Sequence, residues 1–281
     1  MTQKSSREYP AAVPQKYWNV LGVATHIQHR GPTTLPQVPP SCERGETILC
    51  LHRTGGNVGQ LDPLLDRLAE RHSPLAFDQP GHGRSGSLDA LGSIEHMGEF
   101  TRALCKELGI AHTVLLGHEL GGAVALDCAL REPERVRGLV LCATAARREP
   151  TPEKLELHRR VRDGKERRPF ERELFSPAAP PAVLRRGFME ELKTDPRARY
   201  GDLLAWRGWD VCARLDEIQA PCLVVVGADE GRELRKASEQ LAESIRDARL
   251  LVIPSAGPML PLEQPEALAE AVESWLEERL A

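Results

Sequence analysis

Apolar residues follow two different spacings along this chain. Continuous apolar runs of strand length occur at residues 47–51, 74–77, 114–116, 139–143, 222–226 and 250–253. Between them, apolar residues recur at helical spacing, as at Leu61, Leu64, Leu65 and Leu68. Strands that alternate with helices predict right-handed crossovers and one mostly parallel sheet covered on both faces. Tyr17 to Gln28 adds two short antiparallel strands, broken at Leu21-Gly22.

Residues from about 148 to 216 depart from this alternation. Charged residues are dense there, prolines recur, and amphipathic stretches occur around 154–161 and 182–192 without a strand pattern. The segment is therefore predicted to be helical. It contains five aromatic residues, and two interpretations of them remain open: they form a small apolar core of the segment, or Trp206 or Trp209 faces a ligand pocket. The five are Phe170, Phe175, Phe188, Trp206 and Trp209.

Composition removes several classes of partner. The 37 basic and 41 acidic residues are mixed along the chain and give a net charge of −4, which argues against nucleic acid. The apolar runs are far shorter than the roughly 20 residues of a membrane span, and Met1–Arg7 lacks the apolar core of a signal peptide. Seven cysteines without C-x-x-C spacing predict neither a disulfide framework nor a zinc site. We expect a cytoplasmic protein with no cofactor, no nucleic-acid partner and no membrane association, acting on a small molecule.

The stretch Thr113 to Leu126 carries the most informative local pattern. A short apolar strand runs directly into an Ala-rich helix through Gly117-His118-Glu119-Leu120-Gly121. Such a tight turn needs small residues on both sides and holds its tip residue, Glu119, in strained geometry above the sheet. In a parallel sheet the ligand site lies beyond the carboxyl ends of the strands. His52 and the loops after Gly227 and Ile253 lie at that same edge.

Taken with four further motifs, this turn resembles the nucleophile elbow of the α/β-hydrolase fold. The motifs are Leu51-His52, Asp78-Gln79-Pro80-Gly81-His82-Gly83-Arg84-Ser85, Pro221 to Gly227, and Ser255-Ala256-Gly257-Pro258 followed by Glu263-Gln264-Pro265-Glu266. The resemblance implies an α/β fold of this type, with a core of residues 1–147 and 217–281 and a helical cap of residues 148–216. It also implies a catalytic scheme with a nucleophile, a histidine and an acid.

The resemblance assigns each catalytic position to a residue that departs from that scheme. The nucleophile position holds Glu119 where a serine is usual, and the histidine position holds Pro258. The acid position is Asp229 or Glu230, of which the spacing after Gly227 favours Glu230. All nine histidines precede residue 159, so none lies beyond the predicted cap. Family members with a carboxylate nucleophile use Asp together with such a histidine.

The oxyanion side also departs from the family pattern, because Arg53 follows His52 where glycine is usual. A buried carboxylate needs a partner, and two interpretations of Arg53 remain open. It forms a structural ion pair with Glu119 that plugs the site, or it binds an anionic ligand and leaves Glu119 free as a base. The expected ligand contacts, apart from the catalytic candidates Glu119, Glu230, Asp229 and Arg53, are His52, His118, Leu120, Pro258, Trp206 and Trp209. His52, His118 and Glu119 do not have a spacing diagnostic of a metal site.

Three functional hypotheses follow from these positions. The first is an enzyme in which Glu119 acts as general acid or base on a small carbonyl or carboxylate substrate. The second is a catalytically inactive, ligand-binding protein built on the same scaffold. The third is a hydrolase with Glu119 as carboxylate nucleophile. An open apolar pocket would favour the first, and a pocket filled by Arg53 and cap side chains the second.

Overall fold

Eight strands form one sheet in the computed structural model, which describes residues 15–32 and 34–280. The expectation for Met1–Arg7 therefore lies outside the described residues. The strands are β1 Gln15–Val20, β2 Val23–His29, β3 Thr47–Leu51, β4 Ser73–Phe77, β5 Thr113–His118, β6 Val136–Cys142, β7 Cys222–Gly227 and β8 Ala248–Ile253. Their order across the sheet is β1-β2-β4-β3-β5-β6-β7-β8.

The sheet is mostly parallel, as the alternation of strands and helices predicts. β1 pairs antiparallel with β2, and β2 pairs antiparallel with β4. All the remaining neighbours are parallel. β3 and β5 lie side by side at the centre, with Leu51 in register with Gly117. The loops that follow these two strands therefore emerge next to each other at the same edge of the sheet.

Helices cover both faces of the sheet. They are α1 Asp62–Leu68, α2 Ile94–Glu107, α3 Leu120–Arg131, α4 Pro152–Arg162, α5 Pro181–Glu191, α6 Pro196–Ala205, α7 Arg232–Ser244, α8 Leu260–Glu263 and α9 Pro265–Leu280. The apolar faces of α2, α3 and α7 pack on one side of the sheet. Those of α1, α8 and α9 pack on the other. Both sheet faces are thus buried, which explains why the central strands are apolar throughout.

Residues 148–216, called the cap segment below, contain α4, α5 and α6 and no strand among the described elements. Thr151 and Asp195 cap the amino ends of α4 and α6 through their side-chain oxygens. Helix α6 lies outside the two amphipathic stretches that the sequence shows in this segment. Two of its buried residues, Arg199 and Asp202, are charged, so an inward face that is partly ionic does not produce an apolar stripe.

The five aromatic residues of the cap segment separate into two groups. The ring of Phe170 lies 5.9 Å from that of Phe175 and 5.7 Å from that of Phe188. Trp206 and Trp209 meet edge to face at 5.8 Å and pack with the apolar core of the sheet. None of the described helices is both long and apolar enough to cross a membrane.

Candidate active site

The turn between β5 and α3 has the strained geometry that the sequence predicts. Glu119 has φ 52° and ψ −107°, in a region that non-glycine residues rarely adopt. A Cβ atom on Gly121 would collide with the carbonyl oxygen of Leu51, so only glycine lets α3 start this close to β3. The turn therefore holds the Glu119 side chain at the carboxyl edge of the sheet, over the start of α3.

The Glu119 carboxylate is held by three donors. Its Oε2 accepts hydrogen bonds from the backbone N–H of Thr54 at 2.8 Å and of Leu120 at 2.9 Å. Its Oε1 pairs with the guanidinium of Arg148. Burial alone raises the pKa of Glu119, but Arg148, the charge of Arg53 and the Thr54 hydrogen bond outweigh it and lower the pKa to about 2. Glu119 is therefore ionised at pH 7.

Arg53 does not pair with Glu119, so the first of its two interpretations, a structural ion pair that plugs the site, is wrong. Its Nη1 donates to Glu191 Oε1 at 2.9 Å, and its Nη2 lies 3.8 Å from Glu171 Oε2. Both carboxylates belong to the cap segment, which sequence periodicity cannot place in space. The side chain of Arg53 is drawn under the cap segment by two buried anions, and Arg148 takes the position at Glu119.

Glu171 and Glu191 connect several cations beneath the cap segment. Arg199 pairs with Glu171, and its Nη1 lies 3.3 Å from Glu191 Oε1. Lys154 Nζ lies 3.1 Å from Glu171 Oε1. The side chain of His158 and the charges of Arg199, Lys154 and Arg53 hold the pKa of Glu171 far below its usual range, against the opposing effect of burial. The result is a buried ionic network that joins the loop after β3 to α4, α5 and α6.

The cap segment also contacts the rest of that loop, residue by residue. The backbone N–H of Gly55 donates to Asp202 Oδ2 at 2.7 Å. Three further hydrogen bonds join Trp206 Nε1 to Thr54 Oγ1 at 3.4 Å, Thr194 Oγ1 to Gly56 O at 3.0 Å, and Asn57 Nδ2 to Glu190 O at 2.8 Å. Each residue from 53 to 57 thus contacts the cap segment.

His82, a residue of the core, contacts Asp202 of the cap segment, which also accepts the hydrogen bond from Gly55. Its Nε2 lies 2.8 Å from Asp202 Oδ2, and both side chains are fully buried. Burial lowers the pKa of His82, but the charge and hydrogen bond of Asp202 raise it above its ordinary value overall. His82 therefore contacts the cap segment through Asp202.

The residues at the predicted histidine and acid positions do not form a proton-transfer chain. His118 Nε2 donates to the carbonyl oxygen of Pro258 at 2.7 Å. Burial lowers the pKa of His118 to about 4, so the ring is neutral at pH 7.

At the predicted acid position, Glu230 Oε1 accepts from the backbone N–H of Gly227 at 2.9 Å, and its Oε2 has no hydrogen-bond partner among the described residues. Burial raises the pKa of Glu230 to about 7. Asp229 Oδ2 instead accepts from Ser176 Oγ of the cap segment at 2.6 Å.

A cavity of about 680 Å³ opens onto Glu119. Of the predicted ligand contacts, His118, Pro258 and Trp206 line it, together with the catalytic candidates Glu119 and Arg53. Trp209 packs behind Trp206. The cavity is therefore partly open. The first sequence hypothesis expects an open apolar pocket and the second expects a pocket filled by Arg53 and cap side chains, so the observed cavity lies between these two expectations.

Two other predicted contacts are buried beside the cavity. Leu120 is 2% exposed and packs in the core. His52 donates from Nδ1 to Arg53 O at 2.9 Å and accepts the Gln79 N–H at 3.2 Å through Nε2. Its burial lowers its pKa to about 4. The described residues contain no group of three or more side chains arranged to hold a metal ion.

Sequence reasoning missed Arg148, Glu171, Glu191 and Asp202. Arg148 is the first residue of the cap segment and stands among other charged residues, Arg147 and Glu149. A charge in a charged stretch is usually solvated, so composition offered no signal. The only available indication was physical: once Glu119 is placed in a buried turn, a cation must lie within reach.

Sequence and structure comparisons agree with the fold. Residues 48–271 match the model of the Alpha/beta hydrolase family. A protein of Variovorax paradoxus, provisionally named carbamate hydrolase RutD, is 32% identical over 231 residues, which cover 76% of this chain and 85% of that protein.

Two solved structures share the fold. An esterase from Thermogutta terrifontis has a TM-score of 0.80 at 24% identity, and the aligned region covers 94% of this chain and 98% of the esterase chain. An enol-lactonase from Burkholderia xenovorans has a TM-score of 0.77 at 21% identity, and the aligned region covers 93% of this chain and 99% of the lactonase chain. With its mostly parallel sheet and the turn at Glu119, the chain belongs to the alpha/beta hydrolase family.

Proposed function

We propose that this protein binds a small molecule in the Glu119 cavity and does not hydrolyse esters by the serine mechanism of its family. The observation that carries the proposal is the position of Glu119 Oε2. In this family the oxyanion hole is built from the N–H of the residue after the nucleophile and an N–H from the loop after β3. Those groups correspond here to Leu120 and Thr54, and the carboxylate accepts from both. A substrate oxyanion has no donors left to bind.

The proton-transfer side supports the same proposal. Pro258 stands where the family places histidine, and His118 uses its Nε2–H to donate to the carbonyl of Pro258. Without a histidine at that position, a nucleophile at residue 119 has no acceptor for its proton. The degenerate triad of Glu119, Pro258 and Glu230 is thus part of the proposal.

Glu119 as carboxylate nucleophile, the third hypothesis, has less support. Its Oε2 is bound by two N–H groups, and its Oε1, the oxygen left for attack, pairs with Arg148. An ester formed there would also lack the histidine that activates water for its breakdown. The relative from Variovorax paradoxus is named as a hydrolase and the structure from Burkholderia xenovorans as a lactonase, and their substrates are not carried over to this chain.

A second candidate function is the first hypothesis, in which Glu119 acts as a general base. The cavity of about 680 Å³ that ends at its carboxylate favours it, since a small carbonyl compound would fit there. With a pKa of about 2, however, Glu119 is a weak base at pH 7. This function therefore requires that substrate binding remove Arg148 from Oε1, whereas ligand binding without turnover does not.

Three assays test these proposals. We expect no labelling of the protein by a fluorophosphonate probe and no hydrolysis of 4-nitrophenyl acetate or butyrate above background. Glu119→Ser should remain inactive, because Pro258 still supplies no proton acceptor. Stoichiometric labelling of the wild type, or rapid ester turnover by Glu119→Ser, would contradict the proposal.

Binding and base catalysis are then separated without knowledge of the natural ligand. A library of small carbonyl and carboxylate compounds is screened by ligand-observed NMR, and every compound that binds is incubated with the protein in D₂O. Binding without exchange of carbon-bound protons supports the ligand-binding function. Exchange that Glu119→Gln abolishes would establish Glu119 as a base instead, and a library without any binder would contradict both.

A further inference from the structure

Arg148 occupies an unusual position for a cation that neutralises a buried carboxylate. Its side chain is 37% exposed, whereas that of Glu119 is 10% exposed. The guanidinium carbon lies 5.9 Å from the centre of the Trp206 ring, within range of a cation–π contact. Arg148 also lines the cavity. The arginine therefore stands between the carboxylate and the open space, with part of its donor surface facing that space.

Glu119 does not depend on Arg148 for all of its polar contacts. Its Oε2 keeps the N–H groups of Thr54 and Leu120 whatever Arg148 does. The carboxylate also lies at the amino end of α3, where the helix dipole stabilises a negative charge. Arg148 offers five N–H donors in a planar fork, and among the described residues it pairs only with Glu119. Arg148 is thus the partner free to move.

The charges around the inner part of the cavity do not balance. Four cations lie there: Arg53, Arg148, Lys154 and Arg199. Their carboxylate partners are three, namely Glu119, Glu171 and Glu191. His118 and His158 add no charge at pH 7, since burial lowers the pKa of each. One negative charge would neutralise this inner group. The other charged residues that line the cavity are exposed, and solvent screens them; they are two cations, Arg147 and Arg232, and three carboxylates, Glu149, Glu173 and Glu233.

The wall beside Arg148 is apolar. Leu174, Leu203, Leu234, Trp206 and Pro258 all line the cavity. Trp206 is 1% exposed, and its indole N–H is directed to Thr54 Oγ1, so its ring position is fixed. A ligand that fits this space has an apolar body against the wall and a charged group at Arg148.

From this arrangement we infer that the ligand is a small monocarboxylate with an aromatic or aliphatic body, and that its carboxylate binds Arg148 in exchange for Glu119. Guanidinium and carboxylate match in a two-point hydrogen-bonding geometry, which makes Arg148 the specificity-determining residue of the cavity. The inference rests on the proposed function and adds the chemical class of the ligand and the residue that selects it.

Paired probes test the charge requirement. Acetate, hexanoate and phenylacetate are each compared with the neutral amide of the same shape, by calorimetry and by tryptophan fluorescence. We expect hexanoate or phenylacetate to bind at least tenfold more tightly than its amide and to change the fluorescence of Trp206. Equal binding of acid and amide would overturn the inference while leaving the proposed function intact. Failure of every probe would overturn the inference, and the wider NMR library would then decide the proposed function.

Two substitutions test the exchange at Arg148. Arg148→Met should lose at least tenfold in carboxylate affinity and leave amide affinity unchanged. Glu119→Gln should bind carboxylates more tightly than the wild type, because it removes the competing anion, and this variant keeps the inference falsifiable if Arg148→Met does not fold. Arg207→Met is the matched control, since Arg207 is exposed next to Trp206 and pairs with Glu149. An equal loss in the control, or weaker carboxylate binding by Glu119→Gln, would show that Arg148 does not select the ligand.

Discussion

At the scale of single residues, two carboxylates of this site have shifted pKa values of opposite sign. Glu119 has a pKa lowered to about 2 by Arg148, Arg53 and the Thr54 N–H, despite burial. Glu230 has a pKa raised to about 7 by burial, with only Gly227 N–H and Arg235 opposing it. The difference arises because Glu119 has acquired a cation and Glu230 faces no histidine that would stabilise its charge. Each shift has a measurable effect on stability.

Glu119→Gln should destabilise the protein at neutral pH. The pKa of the carboxyl falls from 4.5 to about 2 on folding, so its ionisation contributes about 3 kcal/mol to the free energy of unfolding above pH 4.5. That contribution is lost as the pH falls from about 4.5 to about 2. Urea unfolding should therefore show that the variant has a much lower free energy of unfolding than the wild type at pH 7, and that this difference is smaller at pH 3. Glu233→Gln, an exposed residue of the same cavity, is the control. A deficit that is the same at both pH values would show that Glu119 stabilises by shape and not by charge.

Glu230→Gln should have the opposite effect and stabilise the protein above about pH 4.5. The folded pKa is raised from 4.5 to about 7, so wild-type stability is retained below pH 4.5 and is lost as the pH rises to about 7. The amide keeps the oxygen that accepts from Gly227. We expect the variant to be more stable than wild type by at most about 3 kcal/mol at pH 8.5, and equal to it at pH 4. Calorimetry across this range measures the difference. A variant that is less stable at pH 8.5 would mean that the charged form of Glu230 has a partner after all.

The sequence determined which residues stand in the turn but not which cation would reach them. Glu119 and its strained backbone follow from glycines at fixed spacing, a local property of the chain. The choice between Arg53 and Arg148 depends on where α5 and the loop at Glu171 bring their carboxylates, which is a long-range property. Arg53 pairs with Glu171 and Glu191 instead of Glu119. No pattern in the sequence around Arg53 indicates these partners.

At the scale of elements, the strands and most helices were predictable because burial on two faces imposes a clear apolar pattern. Helix α6 was not, because its inward face includes Arg199 and Asp202. These buried charges contact groups on other elements, Glu171 and Glu191 for the first and Gly55 with His82 for the second. A helix that buries ionic contacts in this way is recognisable only after its partners are known.

Asp202→Asn tests the contact between α6 and the core. Asp202 raises the pKa of His82, so the stability from this pair is fully present below pH 6.5 and is lost as the pH rises through the folded pKa of His82. Breaking a buried pair costs about 3 kcal/mol, and we expect that cost at pH 6 and a smaller one at pH 9 by urea unfolding. Asp210→Asn, which removes an exposed partner of Arg147, should have little effect at either pH. A cost for Asp202→Asn that grows with pH would contradict the assignment of charge to His82.

At the scale of the whole molecule, the cap segment and the core are joined through the loop after β3. Residues 53 to 57 each contact the cap segment, while Thr54 also donates to Glu119. Any displacement of the cap segment would therefore move a donor of the Glu119 carboxylate. The site that holds Glu119 and the cap segment above it form one physical unit.

This coupling predicts that the cap segment does not unfold separately from the core. The chain has four tryptophans, of which Trp206 and Trp209 lie in the cap segment and Trp18 and Trp275 in the core. In a Trp18→Phe/Trp275→Phe background, fluorescence reports the cap segment alone, while far-UV circular dichroism reports all helices and strands. The two thermal transitions should coincide, as expected for two-state unfolding. Adding Asp202→Ala, which breaks the contacts to Gly55 and His82, should shift the fluorescence transition several degrees below the dichroism transition. Separate transitions before that substitution would show that the contacts at residues 53 to 57 are too weak to make the cap segment and the turn at Glu119 one cooperative unit.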